Sequence, residues 1–186
     1  MPKMAYKVGD KTVNCPDEAA KLAGANGTMT FVVAGKDYSD KMAATKALGG
    51  ELNNYYTNML TVKETSACAA KTCPVTGKEL AAAKPAMFAL ASYEFPNKSA
   101  AEKAAAAARA EAEKIQMKMM VDGKEYTCAD SAKAACTSGK KMEYVVGDTK
   151  SCCDVMAGVE LTKARIMAAQ NVLATASKSP ATASRG

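Results

Sequence analysis

The residues best suited to chemistry are seven cysteines, in a chain of 186 residues that contains no histidine. A thiolate is both a metal ligand and a nucleophile. Without imidazole, Ser-His and Cys-His nucleophilic pairs are excluded, and no Walker or GxGxxG phosphate loop occurs. Acid pairs such as Asp17-Glu18 read as helix-start charges. A soft-metal site would therefore be built from thiolate or thioether sulfur, which suits Cu(I), Zn or Hg-like ions. The candidate ligands are Cys15, Cys68, Cys73, Cys128, Cys136, Cys152 and Cys153. Four of them, Cys15, Cys73, Cys128 and Cys153, come just before helix-start signals, where backbone amides lower a thiol pKa.

Each sulfur also has a simpler reading. Cysteines pack as small hydrophobes or pair in disulfides. Cys68 and Cys73, five residues apart in a turn-rich stretch, could bridge. Cys128 and Cys136, eight residues apart, would lie about 12 Å apart on a helix, beyond disulfide reach. The vicinal pair Cys152-Cys153 is a poor candidate for bridging to itself. Twelve methionines suggest Cu(I) thioether ligation. However, Met4, Met29, Met87, Met117 and Met142 share one position at the opening of a strand, which favours core filling.

The elements carrying these residues repeat. Cys15, Cys73 and Cys128 are separated by 58 and 55 residues, and Ser39, Pro96 and Cys153 by 57 and 57. Such regularity marks tandem supersecondary units that stack to bury their apolar faces. Six half-units open with alternating apolar residues: Met4-Tyr6-Val8, Met29-Phe31-Val33, Leu60-Val62, Met87-Ala89, Met117-Met119-Val121 and Met142-Tyr144-Val146. Period-two alternation predicts half-buried strands. Gly9-Asp10, Gly35-Lys36, Asp122-Gly123 and Gly147-Asp148 predict tight hairpins after four of them. Short helices are expected over 16–24, 74–83 and 129–137, and long ones over 40–58, 98–116 and 154–176. The run from Ser99 to Ile115, nearly all Ala, Glu, Lys and Arg, reads as a scaffold helix. The expected fold class is α+β, with three tandem ββα-ββα repeats over 4–59, 60–116 and 117–176, then a disordered tail over 177–186.

The hairpin Val121-Asp122-Gly123-Lys124-Glu125-Tyr126-Thr127-Cys128 resembles the second half of a YHS-type (TRASH-like) metal-binding domain. Val8 to Cys15 and Val146 to Cys153 look similar, and Cys73-Pro74-Val75-Thr76-Gly77-Lys78 resembles the opening turn of such a domain. The resemblance covers most of the chain as degenerate pieces and implies metal binding by cysteine. The family commonly carries a second cysteine four residues after the first, where this chain has Ala19, Gly77, Ala132 and Ala157. No copy holds a complete chelating pair, so thiolates would have to come from different half-units or from Cys68, Cys136 and Cys152.

The net charge of +6 comes from lysines spread along the chain, without a basic run interleaved with aromatics, so nucleic-acid binding has little support. No apolar stretch approaches the length of a membrane span. The odd cysteine count and a start without an apolar leader core point to a mature periplasmic or secreted protein, with the cytoplasm as the alternative. The leading expectation is a non-enzymatic protein that binds or sequesters Cu(I), Zn or a similar ion. Its rivals are a structural repeat protein that forms homo-oligomers through strand edges, and a thiol redox carrier.

Overall fold

The computed structural model describes residues 1–25, 27–65, 87–136 and 141–178. Among these, the protein is mixed α/β, with five helices and three small antiparallel sheets. The first sheet contains β1 (Met4–Val8), β2 (Lys11–Val13), β3 (Thr30–Val33) and β4 (Lys36–Tyr38), in the order β2-β1-β3-β4. Helix α1 (Pro16–Ala23) falls between β2 and β3, and α2 (Lys41–Met59) follows β4. The middle sheet is β5 (Lys63–Thr65), β6 (Met87–Leu90) and β7 (Tyr93–Phe95), followed by α3 (Lys98–Glu113). The last sheet contains β8 (Lys118–Val121), β9 (Lys124–Tyr126), β10 (Met142–Val146) and β11 (Thr149–Ser151), with α4 (Ala129–Ala135) after β9 and α5 (Asp154–Lys178) after β11.

The first and last sheets share one design. The order β9-β8-β10-β11 matches β2-β1-β3-β4. Register matches too: Tyr6 faces Val13 as Met119 faces Tyr126, and Phe31 faces Tyr38 as Tyr144 faces Ser151. Cys15 and Cys128 are therefore register equivalents. The middle sheet continues the pattern in part, with Phe88 opposite Phe95. The short helix expected over 74–83 lies outside the described residues.

Every described hairpin closes through two residues, the length whose twist suits paired strands. Asp122 and Gly123 both adopt positive φ, at 53° and 78°, as a type I′ turn requires. The β3–β4 turn is Ala34-Gly35 rather than Gly35-Lys36, because Lys36 already pairs with Val33. The β6–β7 turn carries no glycine: Ala91 takes φ 53°, at a cost that Gly would avoid. Leu60 and Val62 do not open a strand. Helix α2 runs on to Met59, which leaves Leu60 buried just after the helix, and pairing starts at Lys63.

The chain divides into two compact units, Met1–Tyr56 with Ile115–Arg165, and Thr57–Lys114 with Ile166–Gly186. In the first, α1 lies on β1 and β2, and α4 lies on β8 and β9. Helix α4 covers a small core of Met119, Val121 and Ala132. In the second, α3 packs on β6 and β7 through Ala101, Ala104, Ala105, Ala108 and Ala112, all buried, while Leu90, Phe95, Ile166 and Leu173 supply the bulk. Alanine favours helix intrinsically and lets a helix approach its sheet closely. The role expected for the Ser99–Ile115 run therefore appears as packing on a sheet.

Candidate functional site

Structure places the cysteines by cap position. Cys15 is the N-cap of α1 and Cys128 the N-cap of α4, and both are exposed. Cys153 immediately precedes α5, and its carbonyl accepts from Ala157 N at 3.0 Å. The other two long helices begin with oxygen caps instead. Asp40 Oδ1 accepts from Ala43 N at 2.7 Å, and Asn97 Oδ1 accepts from Ala100 N at 2.8 Å.

The positions equivalent to Cys153 are thus Asp40 and Asn97, not Ser39 and Pro96. Strand register agrees, since Tyr38 and Phe95 align with Ser151 and leave Ser39 and Pro96 opposite Cys152. Spacing alone could not separate a cap from its neighbour; the side chain that reaches the third amide decides it.

Four residues after each described cap stands an alanine: Ala19, Ala44, Ala101, Ala132 and Ala157. All five are at most 1% exposed. Where the resembled family commonly has a second thiol, this chain thus has a methyl group in its interior. The cap sulfurs and their would-be partners therefore face opposite surroundings, one wet and one packed.

The remaining thiols scatter. Cys136 caps the C-terminal end of α4, half buried, and packs against the Met119, Val121 and Ala132 cluster, as a small hydrophobe would. Cys152 is exposed at the end of β11. Cys68 and Cys73 lie outside the described residues. Among the described residues, no three Cys, Asp or Glu side chains converge as a metal cluster would.

Two local environments stand out electrostatically. The amides of Ser131 and Asp130, with the Ser131 side chain, hold the Cys128 thiol below its ordinary pKa; the Asp130 charge opposes them. Burial raises the Tyr144 hydroxyl, and the nearby Asp154, Cys153 and Cys136 push the same way.

One sulfur has a sulfur neighbour. Cys153 Sγ lies 3.8 Å from Met42 Sδ, near the start of α2. Ser151 clamps the Cys153 backbone: its hydroxyl accepts from Cys153 N at 3.1 Å and donates to Cys153 O at 3.0 Å. Further along the same two helices, a Cβ at Gly49 would stand 3.6 Å from Val159 Cγ2, and Thr162 Oγ1, which donates to Gly158 O at 3.0 Å, lies 3.3 Å from Asn53 Oδ1. These contacts advance in step along both chains, so α2 and α5 run in parallel here. Beside them, a cavity of about 460 Å³ is lined by Met1, Met4, Tyr6, Thr45, Met156 and Lys163, among others. Thr45 is satisfied by donating to Lys41 O at 2.8 Å.

Met42 escaped the sequence reading because it falls outside the strand-opening series that explained other methionines as core. Register aligns Met4, Met29, Met117 and Met142 but sets Met87 one residue later, and all five are half buried instead of lying in the core, whereas Met42 is 46% exposed. No family model matches the chain, and no curated protein or solved structure does either.

Proposed function

We propose that this protein is a non-enzymatic, extracytoplasmic binder of soft metal ions, built from three degenerate YHS-like units and using thiolate sulfur. The observation that carries this reading is the placement of Cys15 and Cys128 as equivalent, exposed helix N-caps, outside any disulfide. A buried structural thiol has no reason to occupy a wet cap, where an oxygen side chain stabilises the helix better. At Cys128 the amides of Ser131 and Asp130 favour the thiolate, which is the form that binds metal. Buried alanine four residues on argues for sulfurs shared between half-units, or supplied by Cys68 and Cys73, instead of a pair within one turn.

The strand edges weigh against the assembly alternative. In the first and last sheets the outer strands β2, β4, β9 and β11 have three residues each, and Lys11, Lys36, Lys124 and Lys150 sit on them, exposed. Short, lysine-bearing edges resist further strand pairing.

The test is anaerobic titration of the full reduced chain with Cu(I) and with Zn(II). At least one tight equivalent per chain is expected, and it should vanish after the thiols are alkylated. Less than one equivalent of either ion ends the reading.

A further inference from the structure

We infer that Cys153 and Met42 form a mixed thiolate–thioether site selective for Cu(I), a step that rests on the soft-metal reading and narrows it to one pair of sulfurs and one oxidation state. Two sulfur ligands about 2.3 Å from a shared ion and 3.8 Å from each other subtend about 110° at the metal, within the range of three- and four-coordinate sites. The pair needs little rearrangement to take an ion. Its thiol is steadied by the Ser151 clamp on the backbone of Cys153, and Met42 projects from a separate helix.

The pair is not a by-product of the repeated architecture. In the sister half of the unit, the register equivalents of Cys153 and Met42 are Asp40 and Val155, neither of which carries sulfur. Both sulfurs thus appear only where they meet. The surroundings add further thioethers, beside the charged side chains of Lys41, Glu160 and Lys163. Met156, one turn along α5, is 43% exposed, and Met1 is 45% exposed; both line the adjoining cavity. Asp154 Oδ1 also lies 3.9 Å from Cys153 Sγ, but it already accepts from Val155 N at 2.8 Å. Exposed thioethers in a group are unusual for core filler and suit a polarizable guest. Thioether sulfur favours Cu(I), and Zn has no corresponding preference for it.

The experiment is competition for Cu(I), supplied anaerobically to the full-length protein against a bicinchoninate chelator, with Zn(II) measured in parallel. Met42→Leu keeps volume and exposure, so the fold should survive. It should weaken Cu(I) by at least about tenfold, since outer partners of a metal site alone are worth roughly that much, while Zn(II) stays unchanged. Cys153→Ser should weaken Cu(I) further. If Met42→Leu holds Cu(I) as tightly as the unsubstituted chain, the site is overturned, although thiolate metal binding stands. Equal loss of Cu(I) and Zn(II) in Met42→Leu also overturns it, because that pattern reports damage to the helix pair. If the unsubstituted chain takes up Zn(II) but no Cu(I), the site falls and thiolate metal binding stands; if it takes up neither ion, both fall.

Discussion

At the N-caps, sulfur and oxygen perform the same task unequally. Asp40 and Asn97 accept a backbone hydrogen bond, whereas the thiols of Cys15 and Cys128 close no such cap. At Cys128 the neighbouring amides still favour the charged form, so its thiolate appears at lower pH than an ordinary cysteine's. A depressed pKa means that charge on Cys128 favours the folded state above the ordinary thiol range. This preference is lost as pH falls through the lowered value. We predict that alkylation of Cys128, followed by mass spectrometry against pH, has its midpoint below that measured in urea. Ser131→Ala should move this midpoint upward, because the Ser131 side chain is one of the groups that lower it. Cysteines before helix-start signals were readable from Pro16, Asp17 and Asp130. The inward packing of Cys136 was not, since nothing local marks which side of a helix end faces a core.

Helices α1, α3 and α4 each lie close against the hairpin that precedes them, and only a small side chain permits that. A buried alanine stands at the fourth position after the cap in all five described helices, and in these three it meets that need. Ala19→Leu should therefore overpack the interface between α1 and its sheet and cost about 1–3 kcal/mol in urea unfolding. Ala20→Leu, on the exposed side of the same turn, should change stability by less than about 0.5 kcal/mol. The hairpins were legible where Gly and Asp advertised them, but the Ala91-Ser92 turn was invisible. There, pairing of Leu90 with Tyr93 forces an unsuited residue into the turn.

For the molecule as a whole, scarcity of aromatics throws weight on a few large side chains. In the unit formed by Thr57–Lys114 and Ile166–Gly186, Phe95 is 2% exposed and stands opposite a helix face made of alanine. Little around it can move in to fill a void. Phe95→Ala should cost about 3–5 kcal/mol, a large part of the roughly 5–15 kcal/mol that holds a domain folded. The check is urea unfolding, with the midpoint falling and the slope unchanged. The long alanine-rich helix was evident from composition, yet its partner was not: β6 and β7 precede it with no pattern that names them as the surface it covers.

Local chemistry determined a good deal from the sequence alone: alternating apolar runs, Gly/Asp turns and helix-start residues place most strands and helices within a few residues of where they stand. Such signals act over one turn of chain, and propensity and capping need no distant partner. Only the tertiary structure decided which residue truly caps each long helix, which methionines stand exposed, and that Met42 and Cys153, 111 residues apart, bring their sulfurs within 3.8 Å. That meeting depends on two helices running side by side in register, a relation no single stretch of sequence encodes.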